Sequence, residues 1–475
     1  MSGTQHPLKN LKIIVACQYN DGIASEGTIP WHSKMDLQFF KQTTTAVSLD
    51  RQNAIIMGRK TFDTLRKPLS GRINYVISRS TTAETAHPDA HYFGNLEHAL
   101  QHASNNPLVE SIFIIGGETI YNQIFESYLD HISHIYITWV NTSYNCDKFF
   151  HFGRQSISKE FKQIFSETKV DESSTPPIRL EFTTLVHKNV EEQAYLDLAR
   201  QILEKGEHRS NRTIEPTRSM FGVRLEFDIS TRIPILTTKR VAWKTALREL
   251  LWFISGSTDN EKLRAQKVRI WDGNSSREYL DSVGLVDRRE GDLGPVYGFQ
   301  WRHFGADYTN CDADYNGKGV DQLSYVIHLL KNDPTSRRIM MSAWNPPDLP
   351  KSALPPCHVL AQWYVRDGNI LDCQLYQRSG DYALGVPFNI ASYSMLTAML
   401  ASVCGMRPGK FIHIIGDAHI YENHVEGVKT QLERVPYIFP KLKLNPRESI
   451  DDFVVEDFEL VDYSHHGTIK MDMAV

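Results

Sequence analysis

The sequence predicts two folded units of different class. Residues 8–188 predict an α/β unit with a mostly parallel central sheet flanked by helices, and residues 191–475 a second unit of different grammar. Three observations lead there. A chain of 475 residues suits two to four domains. Its first part alternates short Ile/Val-rich runs with helical segments, the pattern of a parallel sheet covered on both faces. After Lys188 the apolar runs become longer and mixed, and residues 189–190 leave no Gly, Pro or Ser spacer.

In order, LKIIVAC, NAIIMG, RINYVIS, SIFIIGG and HIYITWV read as strands. Leu96, Ala99, Leu100 and Ala103 recur at helical spacing. Residues 192–205 read as a helix. Trp243, Ala246, Leu247, Leu250, Leu251 and Ile254 form one apolar face of another. HVLAQWYV and ILDCQLYQ follow as strands. Tyr382 to Met406 carries no charge, yet Pro387, Asn389, Ser392, Ser394, Thr397 and Ser402 interrupt it, so a buried core helix is expected rather than a membrane span.

Composition limits function. Hydrophobic residues make up 41% and charged residues 23%, which excludes an extended disordered chain. Six cysteines without a CxxC pair exclude a disulfide scaffold and a zinc site, so free thiols in a reducing compartment and no metal are expected. A net charge of −4 supplies no global basic field, so neither nucleic acid nor an anionic membrane is an expected partner. The N-terminal segment has no signal-peptide core, and residues 1–50 contain no arginine. A cytoplasmic location is expected.

In the first unit, Gly116 and Gly117 follow a strand and precede the helical GETIYNQIF. Backbone amides there could approach a pyrophosphate, although glycine at such a turn also has a purely steric reading. Arg59 and Lys60 in MGRKTF, and Ser78 and Arg79, sit at strand ends that suit a ligand with several phosphates; solvated surface charge is the alternative. Asp36 falls on a helix after Thr28-Ile29-Pro30-Trp31, sharing a face with Leu37 and Phe40. A carboxylate beside apolar partners suits a donor-rich ligand, or else a helix-start cap.

The ordered set IVAC, GTIPW, Asp36, MGRKTF, GRINYVISR and IIGGETIY resembles dihydrofolate reductase over about 180 residues. That resemblance implies that Asp36 binds the pteridine and promotes protonation at N5, with Thr138 orienting it. It implies pocket walls at Val15, Ala16, Leu37, Phe40, Leu65 and Ile115. Arg72 would grip the substrate's glutamate α-carboxylate through its planar fork. An NADPH cradle is implied at Ala16, Ile23, Gly27, Gly58, Arg59, Lys60, Thr61, Ser78 and Arg79, continuing through Gly116, Gly117, Glu118, Thr119 and Tyr121. Ala24 stands where the family often has glycine, and an ordinary backbone angle is expected for it.

In the second unit, two prolines stiffen the approach to Cys357 in Leu354-Pro355-Pro356-Cys357-His358. Gln377-Arg378-Ser379, Ser336-Arg337-Arg338 and Arg212 offer cations that would favour a thiolate and bind phosphate. Cys17 and Cys404 read as ordinary small apolar residues. LRELLWFISGST, IWDGN, LGPVYGFQWRHFGA, SRRIMMSAWNP, LPPCH, LYQRSGDYALGVPFNIASY, GDAHIYENH and the terminal KMDMAV resemble thymidylate synthase from Glu191 to Val475. This implies an α+β domain in which the Cys357 thiolate adds to C6 of dUMP.

The same resemblance assigns the remaining roles. Asn389 would read the uracil through its amide, and asparagine there favours dUMP over dCMP. His419 and Tyr421 would hold the ribose hydroxyl. Arg212, Arg337, Arg338, Gln377, Arg378, Ser379 and Asp381 would complete the dUMP site. Glu249, Asn274, Tyr297 and His358 would form a proton relay. Asp381 would bind the pterin of 5,10-methylenetetrahydrofolate, with Ile270, Trp271, Asn274, Leu384, Gly385 and Phe388 around the folate and Val475 closing over it. Arg337 and Arg338 would reach the neighbouring subunit's phosphate, so a homodimer through this domain is expected.

Reductase followed by synthase in one chain is similar to the bifunctional family that makes dTMP and recycles the dihydrofolate it produces. One departure is Arg212-Thr213-Ile214-Glu215-Pro216-Thr217, which lacks the family's two glycines and places Glu215 near a phosphate dianion; weaker dUMP binding is expected, unless Glu215 points into solvent. Two other readings stay open here: a synthase-like domain acting on another pyrimidine nucleotide, and a dimerising or RNA-binding scaffold.

Overall fold

The computed structural model of the chain describes residues 10–48, 50–80, 86–210 and 215–472, without the side chains of 154 and 155. Arg212 and Val475, both expected at a ligand, lie outside the described residues. The chain divides into two compact units, Met1–Lys188 and Asn189–Val475.

The first unit contains β1 (Leu11–Gln18), β2 (Gly22–Ala24), β3 (Gln52–Gly58), β4 (Arg72–Ile77), β5 (Ala90–Phe93), β6 (Val109–Gly116), β7 (Ile132–Asn141), β8 (Lys148–Phe149), β9 (Phe161–Asp171) and β10 (Ile178–His187). Eight of them form one sheet in the order β5-β4-β3-β6-β1-β7-β10-β9. From β5 to β7 all neighbours are parallel. Parallel neighbours need crossovers, and the helices Lys34–Thr45, Arg59–Leu65, Leu96–Asn105 and Glu118–Ser127 supply them. These strands are covered on both faces, which is why they read as unbroken apolar runs.

β10 and β9 run antiparallel at the sheet edge, and neither was expected from the sequence. Nine of the eleven β9 residues are exposed, so that strand carries no apolar signature. β2 and β8 form a small separate ribbon. Ala24 closes β2 with an ordinary backbone angle, and the positive φ angles around it fall at Asp21 (67°), Glu26 (49°) and Gly27 (80°) instead. Chain order jumps on either side of β1, so the carboxyl ends of β1, β3, β4 and β6 border the crevice where such sheets take ligands.

The second unit is built on β11 (Glu207–Arg209), β12 (Thr217–Asp228), β13 (Met340–Ser342), β14 (His358–Arg366), β15 (Ile370–Asp381) and β16 (Arg407–Tyr421), in the order β11-β12-β16-β15-β14-β13. Only β15 and β16 are parallel; the other pairs are antiparallel. A ribbon of β17 (Lys441–Leu444) and β18 (Phe458–Val461) stands apart. Helices Val190–Lys205, Trp243–Ile254 and Gly385–Val403 share one apolar core with the sheet. Fourteen of the nineteen residues of Gly385–Val403 are buried. It is apolar all round because it is a core helix.

Candidate active sites

In the first unit the chain enters its first helix through Ser33, whose Oγ accepts the Asp36 N–H (3.1 Å). Ser33 itself donates to Asp171 Oδ2 (2.5 Å), which pins the helix start to the far end of β9. Asp36 therefore occupies a fixed first-turn position. Burial pushes its carboxyl up to about 6, with a hydrogen bond from Thr138 pulling the other way. Thr138 lies opposite Ala16 in the β1–β7 register. Val15 is buried, while Phe40, Leu65 and Ile115 are half-buried around Ile55 and Phe113. Leu37 is 54% exposed beside Asp36, so it is an outer wall rather than a core residue.

Arg72 opens β4 and is 8% exposed. Its guanidinium donates to Thr44 Oγ1 (2.9 Å) and to the Ser70 carbonyl (3.1 and 2.9 Å), and it stacks over Phe40 at 5.9 Å. All these acceptors are neutral, and burial lowers its pKa. A desolvated cation without a carboxylate is costly, and a bound anion would relieve that cost.

The strand ends carry the residues expected around a dinucleotide. Gly58 caps the helix in which Arg59, Lys60 and Thr61 form the first turn, and exposed Arg59 pairs with Asp63 at 3.5 Å. Gly116 has φ +116°, and its peptide bond to Gly117 is cis. A Cβ on Gly116 would meet the Tyr121 ring at 3.2 Å, and one on Gly117 would meet Thr61 Oγ1 at 3.2 Å. The Tyr121 hydroxyl donates to the Ile14 carbonyl (2.8 Å), tying this helix to β1. Glu118 accepts the Phe149 N–H (2.9 Å), which brings the small ribbon alongside. Ile23 is buried in that ribbon, and Gly27 beyond it is exposed with φ +80°. Ser78 and Arg79 follow β4 directly, and Thr119 is exposed in the first turn of the helix Glu118–Ser127.

In the second unit three strand ends converge. His358 opens β14 opposite Gln377 of β15, and Ser379 and Asp381 lie opposite Asp417 and His419 of β16. Cys357 sits one residue before β14, half-buried. Its N–H donates to the Tyr297 hydroxyl (2.7 Å), and the His358 N–H reaches the same oxygen (3.4 Å). Arg378 Nη2 stands 3.7 Å from Cys357 Sγ. That guanidinium is fixed by the Pro355 and Pro356 carbonyls (2.9 Å each) and by Trp344 beneath it at 5.7 Å. The two prolines thus hold the arginine that faces the sulfur. A guanidinium so placed favours the thiolate.

Glu249 accepts from Trp271 Nε1 (2.7 Å), and burial pushes its carboxyl up to about 7. The same desolvation lifts Tyr297 well above its ordinary range, reinforced by the negative charge of Cys357. His358 is held neutral, down to about 4, by burial, with Asn389 bonded to its ring. Asn389 is buried at the start of the second turn of the core helix, beside half-buried Leu384, Gly385 and Phe388. Ile270 and Asn274 are half-buried on either side of Trp271 and Asp272. His419 pairs with Asp417 (3.4 Å), and its ring meets Tyr421 edge-on at 5.1 Å. Asp381 Oδ1 accepts the N–H groups of Ala383 (2.9 Å) and Leu384 (3.1 Å).

Arg337 and Arg338 stay outside this cluster. Both are exposed just before β13, and among the described residues neither guanidinium meets a carboxylate or Cys357. Glu215 is half-buried at the margin of the described loop, whose Pro216 carbonyl accepts the Glu422 N–H (3.0 Å). Cys17 is buried and Cys404 half-buried. Several residues have no sequence signal and emerge only here. Buried His413 bonds Gln377 Oε1 (2.8 Å), and buried His424 stands 3.7 Å from Asp381. Lys239 is buried, with its ammonium on the Ala383 carbonyl. Glu192 accepts from the N–H and hydroxyl groups of Thr237 and Thr238.

Comparison with known proteins matches residues 10–187 to the dihydrofolate reductase family and residues 193–475 to the thymidylate synthase family. The maize bifunctional dihydrofolate reductase-thymidylate synthase is 44% identical, covering 99% of this chain and 98% of its own. The Paramecium tetraurelia enzyme is 43% identical, covering 98% and 99%. The Leishmania major enzyme is 40% identical, covering 98% and 96%.

Proposed function

The chain belongs to the bifunctional dihydrofolate reductase–thymidylate synthase family, and on that premise we propose how its residues divide the two reactions. The first unit reduces dihydrofolate to tetrahydrofolate with NADPH; the second converts dUMP and 5,10-methylenetetrahydrofolate to dTMP and dihydrofolate. The product of the second reaction is the substrate of the first. The reading of the second unit as a scaffold, or as an enzyme of another pyrimidine nucleotide, is not favoured.

In our assignment residues 8–188 are the reductase domain and 191–475 the synthase domain. Asp36 holds the pteridine and keeps a proton available near N5, Thr138 orients it, and Arg72 takes the glutamate carboxylate. The residues at the ends of β3, β4 and β6 are assigned to NADPH, because Arg59, Lys60, Ser78 and Arg79 bring cations and donors to the same sheet edge as the Gly116-Gly117 turn, where a Cβ would come within 3.2 Å of Tyr121 or Thr61. NADPH supplies a hydride, and methylenetetrahydrofolate supplies a one-carbon unit and a hydride. What this chain adds is position, charge and dry walls.

In the synthase domain Cys357 is the nucleophile, activated by Arg378. Its sulfur bonds C6 of dUMP, and the ring's electron pair moves onto C5 and O4. Asn389 reads the uracil, and His419 and Tyr421 hold the ribose. Glu249, carrying a proton near neutral pH, serves the relay with Tyr297, His358 and Asn274. Asp381 accepts from the pterin.

We assign a homodimer through the synthase sheet. Met340 and Tyr364, 41% and 65% exposed, lie on one sheet face, because Met340 pairs with Gln362 two residues from Tyr364. Exposed apolar side chains on one sheet face support a covered face, and Arg337 and Arg338 beside it would enter the partner's phosphate site. A cytosolic location fits free thiols. The observation that carries the assignment is the Cys357–Arg378–Tyr297 arrangement. Cys357→Ser should abolish tritium release from 5-tritiated dUMP while leaving NADPH oxidation with dihydrofolate intact. Persistent release would overturn the synthase assignment.

A further inference from the structure

We propose that His413 is a positioning residue of the synthase unit: through the amide of Gln377 it fixes the end of β15 that presents Arg378 to the Cys357 sulfur and Ser379 to the nucleotide. The inference rests on the reading of Arg378 as the cation that activates Cys357.

That strand end needs support. The paired register of β14 and β15 stops at His358 opposite Gln377, and one more bond, from the Arg378 N–H to the Cys357 carbonyl (2.9 Å), closes it. Pro355 and Pro356 beyond have no N–H to extend it. β15 runs on to Asp381, paired with β16. Side chains take over where the ladder ends. The Arg378 guanidinium donates to the Pro355 and Pro356 carbonyls, and the Gln377 amide N–H donates to the Ser379 carbonyl (2.9 Å). The amide lies tight against the chain: a Cβ on Gly380 would meet Gln377 Nε2 at 3.1 Å.

His413 decides which way that amide faces. Gln377 and His413 are diagonal neighbours on one sheet face, because Leu375 lies opposite His413 and Ile415 opposite Gln377. Both are buried. Tyr393 of the core helix packs on this face, its ring against those of His358 and Phe411. The imidazole Nε2 lies 2.8 Å from Gln377 Oε1. A backbone carbonyl only accepts, so the nitrogen end of the amide faces Ser379 and the oxygen end faces the imidazole. Nε2 therefore carries the hydrogen and donates. Burial, reinforced by His358, holds the ring neutral, with its pKa down to about 3. His413 is thus a single directed donor within an apolar layer.

Without that N–H, Gln377 Oε1 becomes a buried acceptor short of a donor, a costly state. Turning the amide over to avoid it sets Oε1 against the Ser379 carbonyl, two acceptors face to face. Both routes weaken the Gln377–Ser379 bond, and the backbone between those residues carries Arg378. The Arg378 guanidinium stands 3.7 Å from the sulfur, so a drift of the strand end reduces the positive charge that the thiolate feels. It also moves Ser379 away from the nucleotide. His413 acts through the amide of its neighbour and not on the reacting atoms.

The test uses the full-length protein, with reductase turnover as an internal control for folding. His413→Met removes the N–H and keeps a side chain of similar size. It should raise the dUMP Kd, measured by equilibrium dialysis without folate, about tenfold, the scale of one lost buried hydrogen bond, and leave the methylenetetrahydrofolate KM at saturating dUMP within about twofold. Alkylation of Cys357 by iodoacetamide, followed by mass spectrometry of its peptide, should slow. His413→Gln places an amide N–H as many bonds from Cα as Nε2, and should restore dUMP binding and alkylation. In a Gln377→Met background His413→Met should cost nothing further, since the amide it directs is gone. Unchanged dUMP affinity in His413→Met, equal losses in His413→Met and His413→Gln, or full additivity with Gln377→Met would each overturn the inference. Arg378→Met separates the premise from the inference. If it leaves Cys357 alkylation unchanged, the Arg378 reading fails and the inference with it. If it slows alkylation while His413→Met does not, only the inference fails.

Discussion

Two carboxyl groups, one in each unit, carry their protons into the neutral range, and in both the first cause is loss of water. Asp36 is lifted to about 6 and Glu249 to about 7. An acid with a raised folded pKa is protonated below that value and loses its proton as pH rises through it. Reductase kcat/KM should therefore fall as pH climbs above about 6 if Asp36 supplies the proton. Asp36→Asn should cut reductase kcat about 10²–10³-fold, the usual size of a lost general acid, with synthase turnover unchanged. A profile flat from pH 5 to 8 would count against Asp36 as the proton source. Asn389 offers a second test. Its amide can both donate and accept, whereas a carboxylate can only accept. Asn389→Asp should raise the dUMP KM about 10²-fold and let dCMP bind in its place, measured by competition in the tritium-release assay. Cys357, Asp36 and Asn389 were legible in the sequence because each sits in a distinctive local string. His413, His424, Lys239 and Glu192 were not. A single polar residue in an apolar run reads alike whether its partner is water or a distant backbone carbonyl.

Elements were legible in proportion to how fully they are buried. The parallel strands β1, β3, β4, β6 and β7 are covered on both faces, and their apolar runs announced them. β9 is exposed along almost its whole length and announced nothing, yet its last residue anchors the helix that carries Asp36. Burial alone would raise the Asp171 carboxyl. The hydroxyls of Ser173 and Ser33, with the N–H groups of Ser173 and Met35, outweigh that and hold it well below the usual range. A depressed folded pKa adds stability that is complete above the unfolded value near 4 and fades as pH falls toward the folded one. Asp171→Asn should therefore lower the melting temperature of the reductase transition by about 4 °C at pH 7. The difference from the unaltered protein should shrink as the pH is taken below about 4. Because the lost contacts hold the Ser33 cap, the dihydrofolate KM should rise as well. An unchanged melting temperature at pH 7 would remove Asp171 from the account of how Asp36 is placed.

At the scale of the whole molecule, the change of grammar after Lys188 separated the units, because βαβ units and mixed sheets place apolar residues at different periods. The resemblance assigns Arg337 and Arg338 to the neighbouring subunit's phosphate, a placement that the residue types alone could not supply, since arginines in one string can serve different molecules. In the folded chain they stand exposed, outside the Cys357 cluster, beside the sheet face that bears Met340 and Tyr364. If that face is the twofold contact, each synthase site takes its cysteine from one subunit and two arginines from the other. Cys357→Ser and the double variant Arg337→Ala/Arg338→Ala should then each be inactive as pure dimers. Dissociated, mixed in equal amounts and reassociated, half the dimers would be mixed, and each of these would hold one complete site of two. Synthase activity should return to about one quarter of the unaltered enzyme, while reductase activity stays constant throughout as the measure of folded chain. No recovery, with mixed dimers demonstrated by native mass spectrometry, would mean that each phosphate site is completed within a single subunit.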